Sequence, residues 1–233
     1  MYLSQGYTGD GASCTACGAG KHKATAGSGP CNDCAAGTYQ DTAASLDCNA
    51  CANNAQSSAG SSICVCDPGF TGTGASCAGC TAGTYKDVPG NVGCSACPAN
   101  SDSPGTSDRV QDCTCIAGYT GPNGGPCSAC APGSFKDVSG DAACGLCPAG
   151  TYSDQSAVQA CTECAEHAVS GSGQTECQCE AGYSGAGAAC VFCERGKYKS
   201  SVGSDECTDC PAGTYSTSQA ASDLSACVDC PGW

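Results

Sequence analysis

The residues able to do chemistry in this 233-residue chain are its 28 cysteines, which stand as fourteen close couples, eleven CxxC and three CxC. Three chemistries use such couples: zinc ligation by thiolates, thiol–disulfide exchange, and structural cystine formation. Zinc sites gather four ligands into isolated groups, often with histidine. Here the couples recur about every 13 residues, and the histidines are His22 and His167 alone. A redox CxxC sits at a helix N-terminus that lowers one thiol pKa, and no helical periodicity surrounds any couple. Cystine formation remains.

Other reactive arrangements are missing from the sequence. His22 takes an aromatic's place in its loop, and His167 follows Glu166 in a turn-like stretch, so both read as surface or packing residues rather than general bases. No nucleophile elbow, phosphate loop or metal-hydrolase helix occurs. The chain is not expected to be an enzyme, and no cofactor is implied.

The cysteines must be positioned by a chain with almost nothing else to bury. Val, Ile, Leu and Phe are few beside 34 Gly and 11 Pro, too little apolar area to offset about 1–2 kcal/mol of backbone entropy per ordered residue. Closing a loop of about 15 residues with a disulfide stabilises by roughly 3 kcal/mol in the chain-entropy model, so covalent staples can replace a core. Such staples imply an oxidising, extracellular or cell-surface location.

Periodicity sets the organisation. Each CxC is followed by Gly, an aromatic, Thr or Ser, Gly and a closing Cys: Gly69 Phe70 Thr71 Gly72 before Cys77, Gly118 Tyr119 Thr120 Gly121 before Cys127, and Gly182 Tyr183 Ser184 Gly185 before Cys190. The same tail opens the chain as Gly6 Tyr7 Thr8 Gly9 before Cys14. The expected units are 1–13, the tail of a preceding module; 14–76; 77–126, one loop shorter; 127–189; and a partial unit, 190–233. A second phrase runs from the later Cys of a couple through Gly and an aromatic to the next Cys. Examples are Cys34 Gly37 Tyr39 Cys48 and Cys147 Gly150 Tyr152 Cys161. Gly permits the sharp turn after the cystine, and the aromatic covers the sulfur. The fold class expected is small disulfide-rich modules in tandem: short β-hairpins and loops, almost no helix, an elongated rod.

The CxCxxG phrase with its aromatic and closing Cys resembles the C-terminal half of an EGF-like module. The CxxGxY loop resembles the first loop of TNF-receptor cysteine-rich modules and the ephrin-receptor-type repeat. Long alternating arrays of the two are similar to those of algal flagellar-hair (mastigoneme) proteins and other large extracellular cysteine-rich proteins. This resemblance favours loops that close on themselves: Cys17 with Cys31, Cys34 with Cys48, Cys51 with Cys64, Cys66 with Cys77, Cys80 with Cys94, Cys97 with Cys113, Cys115 with Cys127, Cys130 with Cys144, Cys147 with Cys161, Cys164 with Cys177, Cys179 with Cys190, Cys193 with Cys207 and Cys210 with Cys227. An EGF-like crossing, Cys34 with Cys51, Cys48 with Cys64 and Cys66 with Cys77, is the rival. Sequential pairing leaves Cys14 and Cys230 over. The 63-residue offset puts Met1 and Leu3 where CxC cysteines belong. Excision from a longer chain, with an export signal upstream, accounts for both; a covalent link from Cys230 of one copy to Cys14 of the next is the alternative.

The net charge of −14 disfavours nucleic acid and anionic membranes as partners. Scattered acids leave room for calcium without the pattern that precedes calcium-binding EGF modules. No Asn-x-Ser/Thr acceptor occurs, whereas Ser- and Thr-rich loops admit O-linked glycans, and no stretch could span a bilayer. Two function classes follow. One is a structural component of an extracellular fibre or filament (flagellar hair, wall or matrix), self-assembling or stacking on neighbouring modules. The other is a receptor or adhesion ectodomain. Phe192 and Trp233 stand outside the repeating phrases and, with Cys14 and Cys230, are the candidate intermolecular contacts.

Overall fold

A computed structural model describes residues 3–10 and 13–231 of the chain. Its regular structure is fourteen two-stranded ribbons among the described residues, each strand two or three residues long. The helical content is two single 3-10 turns, Val110–Asp112 and Leu224–Ala226. The expected hairpins and near absence of helix are therefore found.

Each ribbon is built by the repeating phrase. The residues at and just before the aromatic pair antiparallel with the two residues inside the next couple: Tyr39 faces Asn49, Phe135 faces Gly145 and Tyr152 faces Thr162. A couple is thus a return strand with a cysteine at each end. One cysteine closes its own loop and the other opens the next. The second cysteine's N–H donates back to the phrase glycine, as in Cys51 to Gly37 at 2.9 Å and Cys147 to Gly133 at 2.9 Å.

Successive loops dock through the backbone. The glycine N–H of one loop donates to the residue after the aromatic position of the next, a position that Gln56 and Val169 fill in two loops: Gly20 to Gln40 at 2.7 Å, Gly37 to Ser57 at 3.0 Å, Gly133 to Ser153 at 2.8 Å and Gly150 to Ser170 at 3.0 Å. That residue donates onward to a further loop, as Gln40 does to Ser61 and Ser153 to Gln174. Turn geometry makes the glycine obligatory at Gly118. Its φ is +84°, and a Cβ there would lie 2.2 Å from the Ala157 carbonyl oxygen.

What is buried is sulfur. Among the described residues, the largest fully buried side chains are Cys17, Cys34, Cys66, Cys113, Cys115, Cys130, Cys147, Cys179 and Cys193, and the buried residues of ordinary apolar type are Leu3 and Ala221. The chain forms two compact units: one runs through Thr114 and includes Asn123–Pro126, the other comprises Cys115–Pro122 and continues from Cys127.

Four lysines are also buried, at 3% exposure each: Lys23, Lys86, Lys136 and Lys199. Each directly follows its loop's aromatic, or His22 in the case of Lys23. Each also belongs to the loop after a Gly-aromatic-Thr/Ser-Gly phrase. Elsewhere the same position is Gln40, Ser103, Ser153 or Ser216, also buried, or Ser57 and Ser170, half-buried. The ammonium reaches back to the carbonyl of the preceding phrase's aromatic, Tyr7, Phe70, Tyr119 or Tyr183, at 2.8, 2.7, 2.8 and 2.8 Å. It also donates to the glycine four residues on, Gly27, Gly90, Gly140 or Gly203. A buried charge with no ion pair is tolerated here because converging carbonyl dipoles replace its water.

Candidate functional surface

The structure joins 26 of the candidate cysteines in thirteen bridges. In the first unit they are Cys17–Cys31, Cys34–Cys48, Cys51–Cys64, Cys66–Cys77, Cys80–Cys94 and Cys97–Cys113. In the second they are Cys115–Cys127, Cys130–Cys144, Cys147–Cys161, Cys164–Cys177, Cys179–Cys190, Cys193–Cys207 and Cys210–Cys227. No bridge crosses another. Cys14 and Cys230 are unpaired and exposed.

Cys14 lacks a partner although the module around it is formed. Tyr7–Gly9 pairs with Cys14–Ala16 in the register that Phe70–Gly72 uses with Cys77–Gly79. The Leu3 carbonyl accepts from Gly27 N–H at 3.1 Å, as Cys66 accepts from Gly90 at 2.9 Å and Cys179 from Gly203 at 2.9 Å. Leu3, 4% exposed, occupies the place of the missing cysteine.

His22, Cys34 and Cys48 bring their ligand atoms within 4.8 Å of one another. Both sulfurs are committed to one cystine, so no thiolate is available to a metal. His22 Nδ1 lies 3.2 Å from Cys48 Sγ, so the imidazole touches the cystine of the next loop.

One surface differs from the rest of the array. His167, in the left-handed region at φ 62°, stacks on Tyr183 with ring centroids 3.9 Å apart and planes 12° apart. Glu166 and Glu180 lie 3.7 Å from its two ring nitrogens. Tyr183 faces Phe192 across its ribbon, where Tyr7, Phe70 and Tyr119 face Ala16, Gly79 and Ala129. Phe192 is 43% exposed and its neighbour Val191 60%. The two line an open cavity of about 310 Å³ with Ser184, Glu194, Lys197, Glu206 and Cys207. Neither Phe192's exposure nor the buried lysines were evident from the sequence. Trp233 lies outside the described residues.

The exposed charge is predominantly negative. Four of the eight basic residues are the buried lysines, Lys21, Lys197 and Arg109 pair with Asp33, Asp209 and Asp108, and Arg195 is exposed. The Arg109 guanidinium holds the Asp108 carboxyl below the usual carboxylate range, and the Ser225 N–H does the same for Asp223. No helix among the described residues is long and apolar enough to cross a membrane.

No curated protein matches the chain. A family model does, four times over: residues 23–63, 70–113, 118–164 and 182–227 fit the family described as tyrosine-protein kinase ephrin type A/B receptor-like. Such cysteine-rich repeats are modules of extracellular type, structural or ligand-binding rather than catalytic. Spanning most of the sequence, these matches show that the chain belongs to the ephrin-receptor-like cysteine-rich repeat family.

Proposed function

We propose that the chain is a structural segment of an extracellular fibre or filament, of flagellar-hair, wall or matrix type, assembling through repeated module surfaces. The observation that carries this reading is the backbone docking of loop on loop. Gly6 to Lys23, Gly69 to Lys86 and Gly196 to Ser216 repeat the contact of Gly37 to Ser57 at 2.8 to 3.0 Å. A contact made by main-chain groups recurs whatever side chains vary, so an array can be extended without redesigning its joints. Cystines beside each contact make the array resistant to proteolysis and to mechanical extension. Export into an oxidising compartment goes with this role, and O-linked glycans on the exposed serines would fit it. Negative-stain electron microscopy of the purified chain should show filaments or end-to-end oligomers. Monodisperse single particles at all concentrations would reject the reading.

A ligand-binding or adhesion ectodomain is the second reading, favoured by the gathering of His167, Tyr183 and Phe192 in one module. Nanomolar binding of one soluble ligand by the dispersed chain would select it.

A further inference from the structure

We propose that the Val191–Phe192 surface is a docking site for a basic protein segment, one presenting arginine or lysine beside an aliphatic residue. Three observations converge on that chemistry. Phe192 stands where the other three modules of its kind carry Ala16, Gly79 and Ala129, so the ring is no requirement of the fold. It is 43% exposed beside Val191, which is 60% exposed, an apolar centre left in water. The cavity it lines also carries Glu194 and Glu206, which make no ion pair among the described residues, whereas its single cation, Lys197, is already held by Asp209 at 3.1 Å.

A cationic side chain entering there meets an aromatic face and two free carboxylates, with Val191 to receive a neighbouring aliphatic group. The two carboxylates on the cavity and the net charge of −14 disfavour an anionic partner, and the exposed Arg195 beside Glu194 is the one cation of the surrounding loop without an ion pair among the described residues. The occupant is a segment of a separate protein, so the site does not depend on the fibre proposal.

The test uses the full chain and a fluorescein-labelled peptide of alternating arginine and leucine, read by anisotropy, with a citrulline-for-arginine peptide as the uncharged probe. The arginine peptide should bind and the citrulline peptide should not. Phe192→Ala alters no charge and copies the residue of the sister modules; a free-thiol count of two confirms that it folds. It should weaken binding about threefold to tenfold, the loss expected for one cation–π contact. Glu194→Gln with Glu206→Gln should weaken it at least as much. Asp41→Asn with Asp47→Asn, which removes equal charge in the other unit, should leave it unchanged. Wild-type affinity in Phe192→Ala, equal loss from the Asp pair, or no binding of the arginine peptide would overturn the site. Each of these leaves the filament test unaffected.

Discussion

The ammonium of Lys86 donates at 2.7 Å to the carbonyl oxygen of Phe70, a residue of the preceding loop sixteen positions earlier. It also takes the Cys66 carbonyl at 3.3 Å and that of Gly90. One side chain thus ties the CxC cysteine, the phrase aromatic and its own loop together. Lys23, Lys136 and Lys199 share the tie to the phrase aromatic and to their own loop's glycine. Where the preceding loop lacks the Gly-aromatic-Thr/Ser-Gly phrase, the equivalent residue is Gln or Ser, which needs fewer acceptors. The lysines are therefore structural pegs and add nothing to the charge that the surface presents.

Replacing a peg should strand its acceptors. In Lys136→Met the aliphatic stem is retained, but the carbonyls of Tyr119 and Gly140 lose their donor in a buried place. The expected loss is about 1–3 kcal/mol, read as a lower urea midpoint of the alkylated chain. An unchanged midpoint would mean that water enters and satisfies both oxygens.

The same burial predicts chemical silence. A brief pulse of an amine-reactive ester should label Lys21 and Lys197, which are 48% and 41% exposed at the side chain, and leave Lys23, Lys86, Lys136 and Lys199 unlabelled. Peptide mapping reads the outcome. Equal labelling of Lys199 and Lys197, two residues apart, would contradict the pegs.

How much of this was legible follows from what each feature depends on. The hairpins and the scarcity of helix depend on local spacing, and the Gly37–Tyr39–Cys48 phrase displays it openly. Which cysteine meets which is less local; spacing alone left the crossed pairing open. The pegs were hidden because an isolated lysine between Tyr85 and Asp87 reads as solvated loop, and its acceptors come together only when two loops stack. A pattern was nonetheless present: lysine follows the aromatic position only after a Gly-aromatic-Thr/Ser-Gly loop. The His167–Tyr183 stack was hidden for the same reason, since the two residues belong to different loops that meet only on folding.

Glycine substitutions should divide by what faces them. Gly118 and Gly37 have nearly equal φ values, +84° and +81°, and so share the strain of a left-handed residue, about 1–2 kcal/mol. Only Gly118 also has a carbonyl in the way, 2.2 Å from the would-be Cβ, whereas nothing lies within 4 Å at Gly37. Gly118→Ala should fold with scrambled bridges or in low yield, and Gly37→Ala should give native bridges with reduced stability. Disulfide mapping distinguishes them, and equal yields would remove the steric argument.

Lys86 carries a pH signature. Burial holds its ammonium below the ordinary lysine value of 10.5, with the Asp67 carboxylate acting in the opposite sense. The unfolded chain therefore binds more protons between the folded and unfolded pKa values. Stability must rise with pH across that window, because a charge penalty present at neutral pH is relieved as the folded lysine deprotonates. Relative to Lys86→Met, the wild-type chain with both thiols alkylated should gain stability as pH rises toward the ordinary lysine value of 10.5. A gain of opposite sign would show that the carbonyl cage outweighs desolvation.

Leu3→Cys should give Cys14 the partner that its sister cysteines have. Leu3 shares the backbone contact of Cys66 and Cys179 and is equally buried, and Gly9 faces Cys14 across the ribbon as Gly72 faces Cys77. Under air oxidation the introduced thiol loses its proton and one electron with that of Cys14, oxygen being reduced, and a bond equivalent to Cys66–Cys77 forms. Titratable thiols in unreduced material should fall from two to one, leaving Cys230, while the short closed loop adds about 3 kcal/mol. Three titratable thiols in the variant would mean that residue 3 does not occupy the vacant cysteine's place. The orphan state of Cys14 would then have a cause other than the leucine.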